Sequence, residues 1–166
     1  MRALLDFARE RSDEFETVDL RGVVEQTIEL LRRTSLHKEI VLVERYPNEP
    51  VAVFASAGQI KQVLLNLVTN AVQAMGESGE IAIELAQEAS AAVLRVRDTG
   101  PGIAPDVIDR IFDPFFTTKR ELGGTGLGLA LSQSIADAHC GTLTVASPAG
   151  GGAEFTLRIP LEGTAR

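Results

Sequence analysis

The sequence has few residues that form covalent links or stacking surfaces, and it has no long apolar run. Its 166 residues include one cysteine, one tyrosine and no tryptophan. A single cysteine, Cys140, excludes a disulfide within the chain and a zinc cluster built from cysteines, and we expect its thiol to be buried and structural. The shortage of aromatic side chains excludes a stacking surface for single-stranded nucleic acid. No apolar run approaches the ~20 residues that a membrane-spanning helix needs.

Positive charge is also scarce. The chain has 16 lysine and arginine residues against 23 aspartate and glutamate residues, a formal net charge of −7. Because no long basic tract is present, generic binding to DNA or RNA is not expected. Arg2, Asp6 and Arg9 interrupt the first apolar residues, so no signal-peptide pattern opens the chain. We therefore expect a cytoplasmic globular domain, although its parent protein could be anchored in a membrane.

Apolar periodicity predicts a mainly helical first half and a second half richer in strands. Helices are expected over residues 1–11, 20–36 (capped by Asp19) and 56–75 (capped by Ser56), strands over 40–45 and 51–54, and a polar linker over 12–17. The segments 81–85, 92–97, 142–145 and 154–159 alternate with the period of a strand. The expected fold class is therefore α+β, a two-layer α/β sandwich whose mixed, mostly antiparallel sheet carries helices on one face.

The helix predicted over residues 56–75 carries the first chemical signal. One of its sides is apolar, and a second stripe holds Gln62, Asn66, Asn70 and Gln73. Asparagine is a poor helix former, so two of them one turn apart on a largely apolar helix need a reason. A carboxamide oxygen is a suitable neutral ligand for Mg²⁺ beside phosphates. The alternative is that both are surface residues or find partners in the core.

A second signal is the turn D-T-G-P-G-I over residues 98–103. By the period of two, Asp98 lies on the same face as Leu94 and Val96, so a core-facing strand would direct its carboxylate into an apolar site. A buried carboxylate needs a hydrogen-bond donor, which the exocyclic amine of adenine would supply. The two glycines would let the backbone approach a flat ligand closely. The alternative is an ordinary β-turn, for which these residues are common.

A third signal joins an aromatic segment, F-D-P-F-F-T-T-K over residues 112–119, to the glycine run over 123–128. A helix with apolar residues Leu127, Leu131, Ile135 and Ala138 follows the glycines and is expected to end with Gly141 at C′. Free N–H groups and the positive end of the helix dipole make its N-terminus a candidate anion site. Lys119 could add a charge near a terminal phosphate, and residues 114–125 could form a lid.

Together these segments resemble the catalytic, ATP-binding domain of sensor histidine kinases. The wider group is the GHKL superfamily, with the ATPase domains of gyrase, Hsp90 and MutL, and the match is closest to the nitrogen-regulation and sporulation branch. Each motif is modest alone, but the order of the asparagine helix, D-T-G-P-G-I, F-D-P-F-F-T-T-K and G-T-G-L-G-L is specific. The resemblance covers residues 19–160 and implies a Bergerat-type domain over 17–166. Residues 1–16 would be the end of a dimerisation helix and a linker.

The resemblance also implies a role for each matching residue. Asn70 would be the magnesium ligand with Asn66 in support, Asp98 would bind adenine, and Lys119 would lie near the γ-phosphate. The residues implied to bind ATP are Asn66, Asn70, Gln73, Asp98, Gly100, Gly102, Ile103, Lys119, Gly124, Thr125, Gly126, Leu127, Gly128 and Leu129. Many relatives have lysine at the position of Gln73, so one phosphate cation is missing here, and Lys119 could compensate for it.

Asn66 separates three hypotheses about activity. In the gyrase and Hsp90 branch a glutamate one turn before the metal asparagine activates water, and an amide cannot act as that general base. The residues therefore favour a protein-histidine kinase domain that binds ATP and Mg²⁺ and transfers the γ-phosphoryl group to histidine in two-component signalling. A GHKL-type ATPase and a nucleotide sensor without transfer activity are the alternatives.

The chain offers no convincing phosphoacceptor. His37 is predicted to lie between a helix and a strand, and His139 at a helix end, where capping or packing is expected. The resemblance implies that the acceptor histidine lies on a separate dimerisation hairpin of the same full-length protein, with a response regulator downstream. We expect the domain alone to be a monomer and the full-length protein a homodimer.

Overall fold

From residue 20 onward, the described helices and longer strands follow one another in the order that the periodicity predicts. The computed structural model of the protein describes residues 14–34, 39–118, 125–148 and 150–161. Its elements are β1 (Glu16–Asp19), α1 (Leu20–Thr34), β2 (Glu39–Arg45), β3 (Ala52–Ala55), α2 (Ala57–Met75), β4 (Ser78–Glu88), β5 (Ala91–Asp98), a 3₁₀ helix (Ile108–Arg110), α3 (Gly128–Ala138), β6 (Thr142–Ala146) and β7 (Glu154–Pro160). The helix predicted over 1–11, His37, Lys119, Gly123 and Gly124 lie outside the described residues.

The main sheet is mixed and mostly antiparallel, as predicted. Its strand order is β2-β4-β5-β7-β6, in which β2 pairs with β4 in parallel and every other neighbouring pair is antiparallel. A separate two-stranded ribbon pairs β1 with β3. Within the part of the chain that the structure describes, no helix is long and apolar enough to cross a membrane.

The helices pack on one face of this sheet, which confirms the two-layer arrangement. The strand residues buried against them include Ile81, Ile83, Leu85, Ala92, Leu94, Val96, Phe155, Leu157 and Ile159. They meet the apolar side of α2, whose fully buried residues include Ile60, Val63, Leu64 and Val68. The opposite face carries charged side chains, and there Glu88 pairs with Arg95 and with Arg158. The alternation read from the sequence therefore separates core from solvent.

The predicted linker over residues 12–17 is wrong at its end. Glu16 and Thr17 belong to β1 and pair with Ala55 and Phe54 of β3. This strand is mostly exposed and polar, so it has no alternating apolar pattern from which it could be predicted. The predicted cap on α1 is confirmed, because Oδ1 of Asp19 accepts the N–H of Arg21 at 3.1 Å.

The helix α3 is confirmed, but its buried side differs from the predicted apolar stripe. Of that stripe only Ile135 is buried, while Leu127 and Leu131 are 44% and 48% exposed. The side that faces the core holds Ser132, Ile135, Ala136 and His139. Hydrophobic spacing thus predicted the position of the helix but not the side that it buries. Two polar residues, Ser132 and His139, are buried because they find hydrogen-bond partners, while Leu127 and Leu131 stay at the surface.

The prediction of a buried, structural Cys140 is wrong. Its side chain is exposed, and its backbone takes the left-handed conformation with φ 53° at the C′ position of α3. The N–H of Cys140 donates to Asp137 O and that of Gly141 to Ala136 O, the pattern of a Schellman motif. Gly141, predicted at C′, therefore lies one residue further along at C″, and a Cβ there would overlap the carbonyl oxygen of Arg158.

His139 is a packing residue, as expected. It is buried, its Nε2 accepts the N–H of Ser56 at 3.1 Å, and its Nδ1 lies 2.7 Å from Ile135 O. Because Nε2 must accept the N–H of Ser56, it carries no proton. The ring proton is therefore on Nδ1, which donates to Ile135 O. Phe15 covers the ring, with the centroids 4.6 Å apart. Both ring nitrogens are satisfied only in the neutral form.

This arrangement predicts a loss of stability in mild acid. Burial lowers the pKa of His139 below its ordinary value of 6.5. The unfolded chain therefore takes up a proton first, and stability that is complete above about pH 7 falls as the pH drops through 6.5. Each unit of lowered pKa removes about 1.4 kcal/mol in acid.

Urea unfolding between pH 7.5 and 5.5 measures this effect. We expect His139→Gln to be less stable than the wild type at pH 7.5 but to lose less stability in that range. His37→Gln removes the other histidine and should lose stability with falling pH as steeply as the wild type does. Equal slopes for all three proteins would contradict the assignment.

Candidate functional site

Asp98 is the buried carboxylate at the end of β5. Only 5% of the residue is exposed, and its face is that of Leu94 and Val96, as the period of two predicts. Its Oδ1 accepts the N–H of Gly100 at 2.8 Å and that of Ala153 at 3.3 Å. Both bonds fix one oxygen and so orient the carboxylate. Within the described residues no hydrogen bond reaches Oδ2, which leaves that oxygen for a donor on a ligand.

Glycines bring a second loop against this carboxylate. Gly152 has φ +83°, its N–H donates to Gly100 O at 2.7 Å, and a Cβ there would overlap the carbonyl oxygen of Asp98. Gly102 has φ +80°, and a Cβ there would lie 2.6 Å from Oγ of Ser147. The turn after β5 and the loop before β7 can approach this closely only because both positions lack side chains.

Ser147 links the same two segments, and the sequence analysis missed it. Its Oγ accepts the N–H of Ile103 at 2.8 Å and donates to Gly152 O at 3.0 Å. The available signal was the glycine run over residues 150–152, whose three φ angles are all positive. That run reads locally as a flexible hairpin loop, and its place beside Asp98 becomes visible only when β5 and β7 pair.

The glycine loop leads directly into the N-terminus of α3. Gly126 has φ +69°, and a Cβ there would lie 2.5 Å from the backbone carbon of Phe115, whose N–H donates to Gly126 O at 2.9 Å. Leu127 is the N-cap, and no side chain caps the helix from that position. The N–H of Leu127 donates to Oγ1 of the exposed Thr125 at 3.4 Å. The first N–H groups that follow it, beginning at Gly128, have no partner within the helix and are candidates for binding an anion.

Asn66 and Asn70 lie on α2 beside that helix end, both partly buried, whereas Gln73 is exposed. Nδ2 of Asn66 donates to Gly128 O at 3.0 Å and to Ser132 Oγ at 3.1 Å. Its Oδ1 accepts Nε2 of Gln62 at 3.0 Å. Of the predicted asparagine stripe, Asn66 is therefore bonded to the first turn of α3.

Acidic metal ligands are not gathered at this site. The described segments contain no group of three or more His, Cys, Asp or Glu side chains that could hold a metal ion. The donors present are the amide oxygens of Asn66 and Asn70. Neutral oxygens of this kind fit a Mg²⁺ ion that takes most of its ligands from phosphates and water.

The helix α2 connects the two halves of the site. At its C-terminal end, Ala74 and Met75 lie against Gly100 of the aspartate turn, and near its middle Asn66 lies against Gly128. Eight helical residues separate Asn66 from Ala74, which corresponds to about 12 Å. The site thus has a buried carboxylate at one end, the N-terminus of α3 at the other, and Asn70 between them along α2. Its outline matches an elongated ligand with a flat polar head and an anionic tail.

Comparison with known proteins identifies the family of the chain. Residues 55–163 match the model of the histidine kinase-, DNA gyrase B- and HSP90-like ATPases. The chain belongs to this ATPase family. It is 41% identical over 162 residues to the signal transduction histidine-protein kinase AtoS of Escherichia coli (strain K12), covering 97% of this chain and 26% of that protein. The chain thus spans about a quarter of that relative's length.

Solved structures identify the histidine-kinase branch of the family. The nucleotide-free catalytic domain of histidine kinase ThkA is 34% identical, with a TM-score of 0.81, and covers 90% of this chain and 99% of that one. Full-length ShkA in complex with AMPPNP is 31% identical, with a TM-score of 0.79, and covers 94% of this chain and 33% of that one. The chain therefore corresponds to a histidine kinase ATPase domain of a two-component sensor kinase.

Proposed function

We propose that this domain binds ATP with Mg²⁺ and donates the γ-phosphoryl group to a histidine on a separate dimerisation hairpin of the full-length protein. The observation that carries the proposal is the spacing along α2, with the Asp98 carboxylate at one end and the uncapped α3 N-terminus beside Asn66. A base and a triphosphate need those two environments at that separation.

Different residues of the site bind different parts of the nucleotide. Oδ2 of Asp98 accepts a hydrogen bond from the exocyclic amine of adenine. Gly100, Gly102 and Ile103 shape the pocket for the adenine ring. The N–H groups of Gly126, Gly128 and Leu129 face the phosphates, where their partial positive charges stabilise negative charge without a full countercharge. We also propose that the backbone of Gly124 and Thr125 contacts the phosphates and that Lys119 binds near the γ-phosphate.

Asn70, supported by Asn66, would hold Mg²⁺ together with the phosphates. The ion would neutralise charge that develops on the transferred group. Gln73, exposed on the next turn, offers a neutral hydrogen-bonding group rather than a cation. The chain itself therefore contributes position and electrostatics and no covalent nucleophile.

Asn66 favours transfer over hydrolysis. Both protons of its Nδ2 are donated to α3, and an amide does not take up a proton from water near neutral pH. A glutamate in its place would also set a carboxylate against the carbonyl oxygen of Gly128, acceptor against acceptor. The geometry around this position is thus suited to an amide and opposes a general base.

An exposed apolar patch gives the hairpin a place to dock. Phe115 is 69% exposed and donates its N–H to the carbonyl oxygen of Gly126, the residue before the exposed Leu127, and Leu131 is exposed one turn further along α3. Contiguous exposed apolar side chains mark interaction sites. A helix that presents the acceptor histidine here would bring its imidazole to the γ-phosphate. The phosphoryl group would then pass to a response regulator.

A reconstitution experiment tests the proposal. The domain, the cognate hairpin and γ-³²P-labelled ATP with Mg²⁺ are mixed, and we expect an acid-labile, base-stable label on the hairpin. A hairpin with its histidine changed to Gln is the matched control and should remain unlabelled. Rapid release of free phosphate without the hairpin would establish the ATPase alternative instead. Binding of ATP with neither transfer nor hydrolysis would indicate a nucleotide sensor.

A further inference from the structure

Ser132 is a fully buried hydroxyl that the proposed function does not use. It lies on the inner side of α3, one turn after Gly128, and has no exposed surface. Its Oγ donates to Gly128 O at 2.9 Å and accepts from Nδ2 of Asn66 at 3.1 Å. The hydroxyl therefore belongs to a hydrogen-bond cluster that joins α2 to the first turn of α3.

The proton count of this cluster allows only one orientation of the Asn66 amide. Asn66 has two amide protons, which go to Gly128 O and Ser132 Oγ. The single proton of Ser132 goes to Gly128 O. If the carboxamide were rotated by half a turn, its oxygen would face the carbonyl oxygen of Gly128 with no proton between them. The amide nitrogen must therefore face α3.

The opposite end of the amide is fixed as a consequence. Oδ1 points away from Gly128 and Ser132 and accepts one hydrogen bond from Gln62. A carboxamide oxygen has two lone pairs, so one remains for another donor or a cation. Asn66 itself lies one helical turn before Asn70, and its nitrogen is bonded to the first turn of α3.

On the basis of the nucleotide-binding function above, we propose that Ser132 is a positioning residue. It holds the amide nitrogen of Asn66 against α3 and so keeps the amide oxygen on the side of the metal and phosphates. Ser132 does not touch the nucleotide. Its removal should therefore affect the part of the affinity that depends on Mg²⁺ and phosphate, and leave adenine recognition at Asp98 intact.

The test compares Ser132→Ala with Ser134→Ala. Ser134 is a matched control, because its Oγ also donates to the carbonyl four residues earlier, Ala130 O at 3.1 Å, but it is exposed and does not contact Asn66. Affinities are measured calorimetrically for adenosine, for ATP with EDTA and for ATP with Mg²⁺. In Ser132→Ala we expect the Mg²⁺-dependent gain in affinity to fall about 5- to 10-fold, the size of one lost hydrogen bond. Adenosine affinity should stay within about twofold.

Two further variants separate positioning from folding. Ser132→Thr keeps the hydroxyl and should restore most of the Mg²⁺-dependent gain. In an Asn66→Ala background, Ser132→Ala should have no further effect on that gain, because the group it positions is absent. This double-mutant comparison gives a result even if the threonine methyl is not accommodated in the core.

Several results would overturn the inference. Equal losses for adenosine and ATP with Mg²⁺ would mean that Ser132 supports the fold only. A Ser132→Ala profile equal to that of Ser134→Ala, or full additivity with Asn66→Ala, would also contradict it. A wild-type domain that binds no adenine nucleotide would overturn the proposed function, and this inference with it.

Discussion

Replacing Asp98 by Asn should weaken ATP binding by about 100-fold or more, the cost of a charged hydrogen bond together with an unpaired donor. The N–H groups of Gly100 and Ala153 both need an acceptor, and Oδ1 supplies it. An asparagine would keep its oxygen there and place its NH₂ group where Oδ2 now lies. That group would face the exocyclic amine of adenine, donor against donor. The shape of the pocket stays the same while its hydrogen-bonding pattern is reversed.

Calorimetric titration of ATP and ADP into the two proteins measures this change. Asp106→Asn is the control, because it removes the same charge from an exposed residue in the loop that follows the aspartate turn. The Asp106→Asn variant should bind ATP with the affinity of the wild type, and both variants should unfold at nearly the wild-type temperature. If Asp98→Asn bound ATP within about threefold of the wild type, the adenine-binding role of Asp98 would be refuted.

The position of Asp98 could be predicted because the information is local. The face of the sheet on which its side chain lies follows from the alternation along a single strand. Leu94 and Val96 are buried, and Asp98 follows them with the same period. The asparagine stripe was predictable for a similar reason, since helical spacing places Gln62, Asn66 and Asn70 on one side of α2. Both patterns depend only on neighbours in the chain.

The loop before β7 could not be predicted from such patterns. Ala153 and Asp98 are 55 residues apart and meet only because β5 and β7 are neighbours in the sheet. Ser147 is likewise ordinary in its own loop, and its hydrogen bond to Ile103 spans 44 residues. A glycine shows in the sequence that a close approach is possible, but the segment that approaches it is determined by the topology of the sheet.

The orientation of α3 shows a second limit. Apolar spacing alone directs Leu127 and Leu131 inward, yet Ser132 and His139 occupy the buried side. Their polar atoms are satisfied by Asn66, Gly128, Ile135 and Ser56. Burying a polar group costs little when it finds such partners, and two of these four lie on α2 and its cap. An exposed leucine pair, in turn, is what a docking surface requires, so the departure from simple amphipathicity coincides with the proposed hairpin contact.

Replacing Gly152 by Ala should damage both the fold and the nucleotide site. Gly152 has φ +83°, which strains any side chain, and its new Cβ would overlap the carbonyl oxygen of Asp98, a backbone atom that cannot rotate away. Strain and overlap together should cost about 3 kcal/mol. For a domain of this size that lowers the unfolding temperature by about 10 °C. The loop must also move away from Asp98, so the Ala153 N–H no longer orients the carboxylate.

Gly150→Ala is the matched control for this prediction. Gly150 also has a positive φ, +115°, but a Cβ there meets nothing within 4 Å, so only the backbone strain remains. We expect a loss of about 1 kcal/mol for Gly150→Ala and nearly unchanged ATP affinity. Thermal unfolding without nucleotide, followed by titration of ATP at a temperature where all the proteins are folded, separates the two effects. Equal unfolding temperatures for the two variants would show that the loop can retreat from Asp98 at no cost. Wild-type ATP affinity in Gly152→Ala would show that the Ala153 hydrogen bond does not orient the carboxylate for adenine.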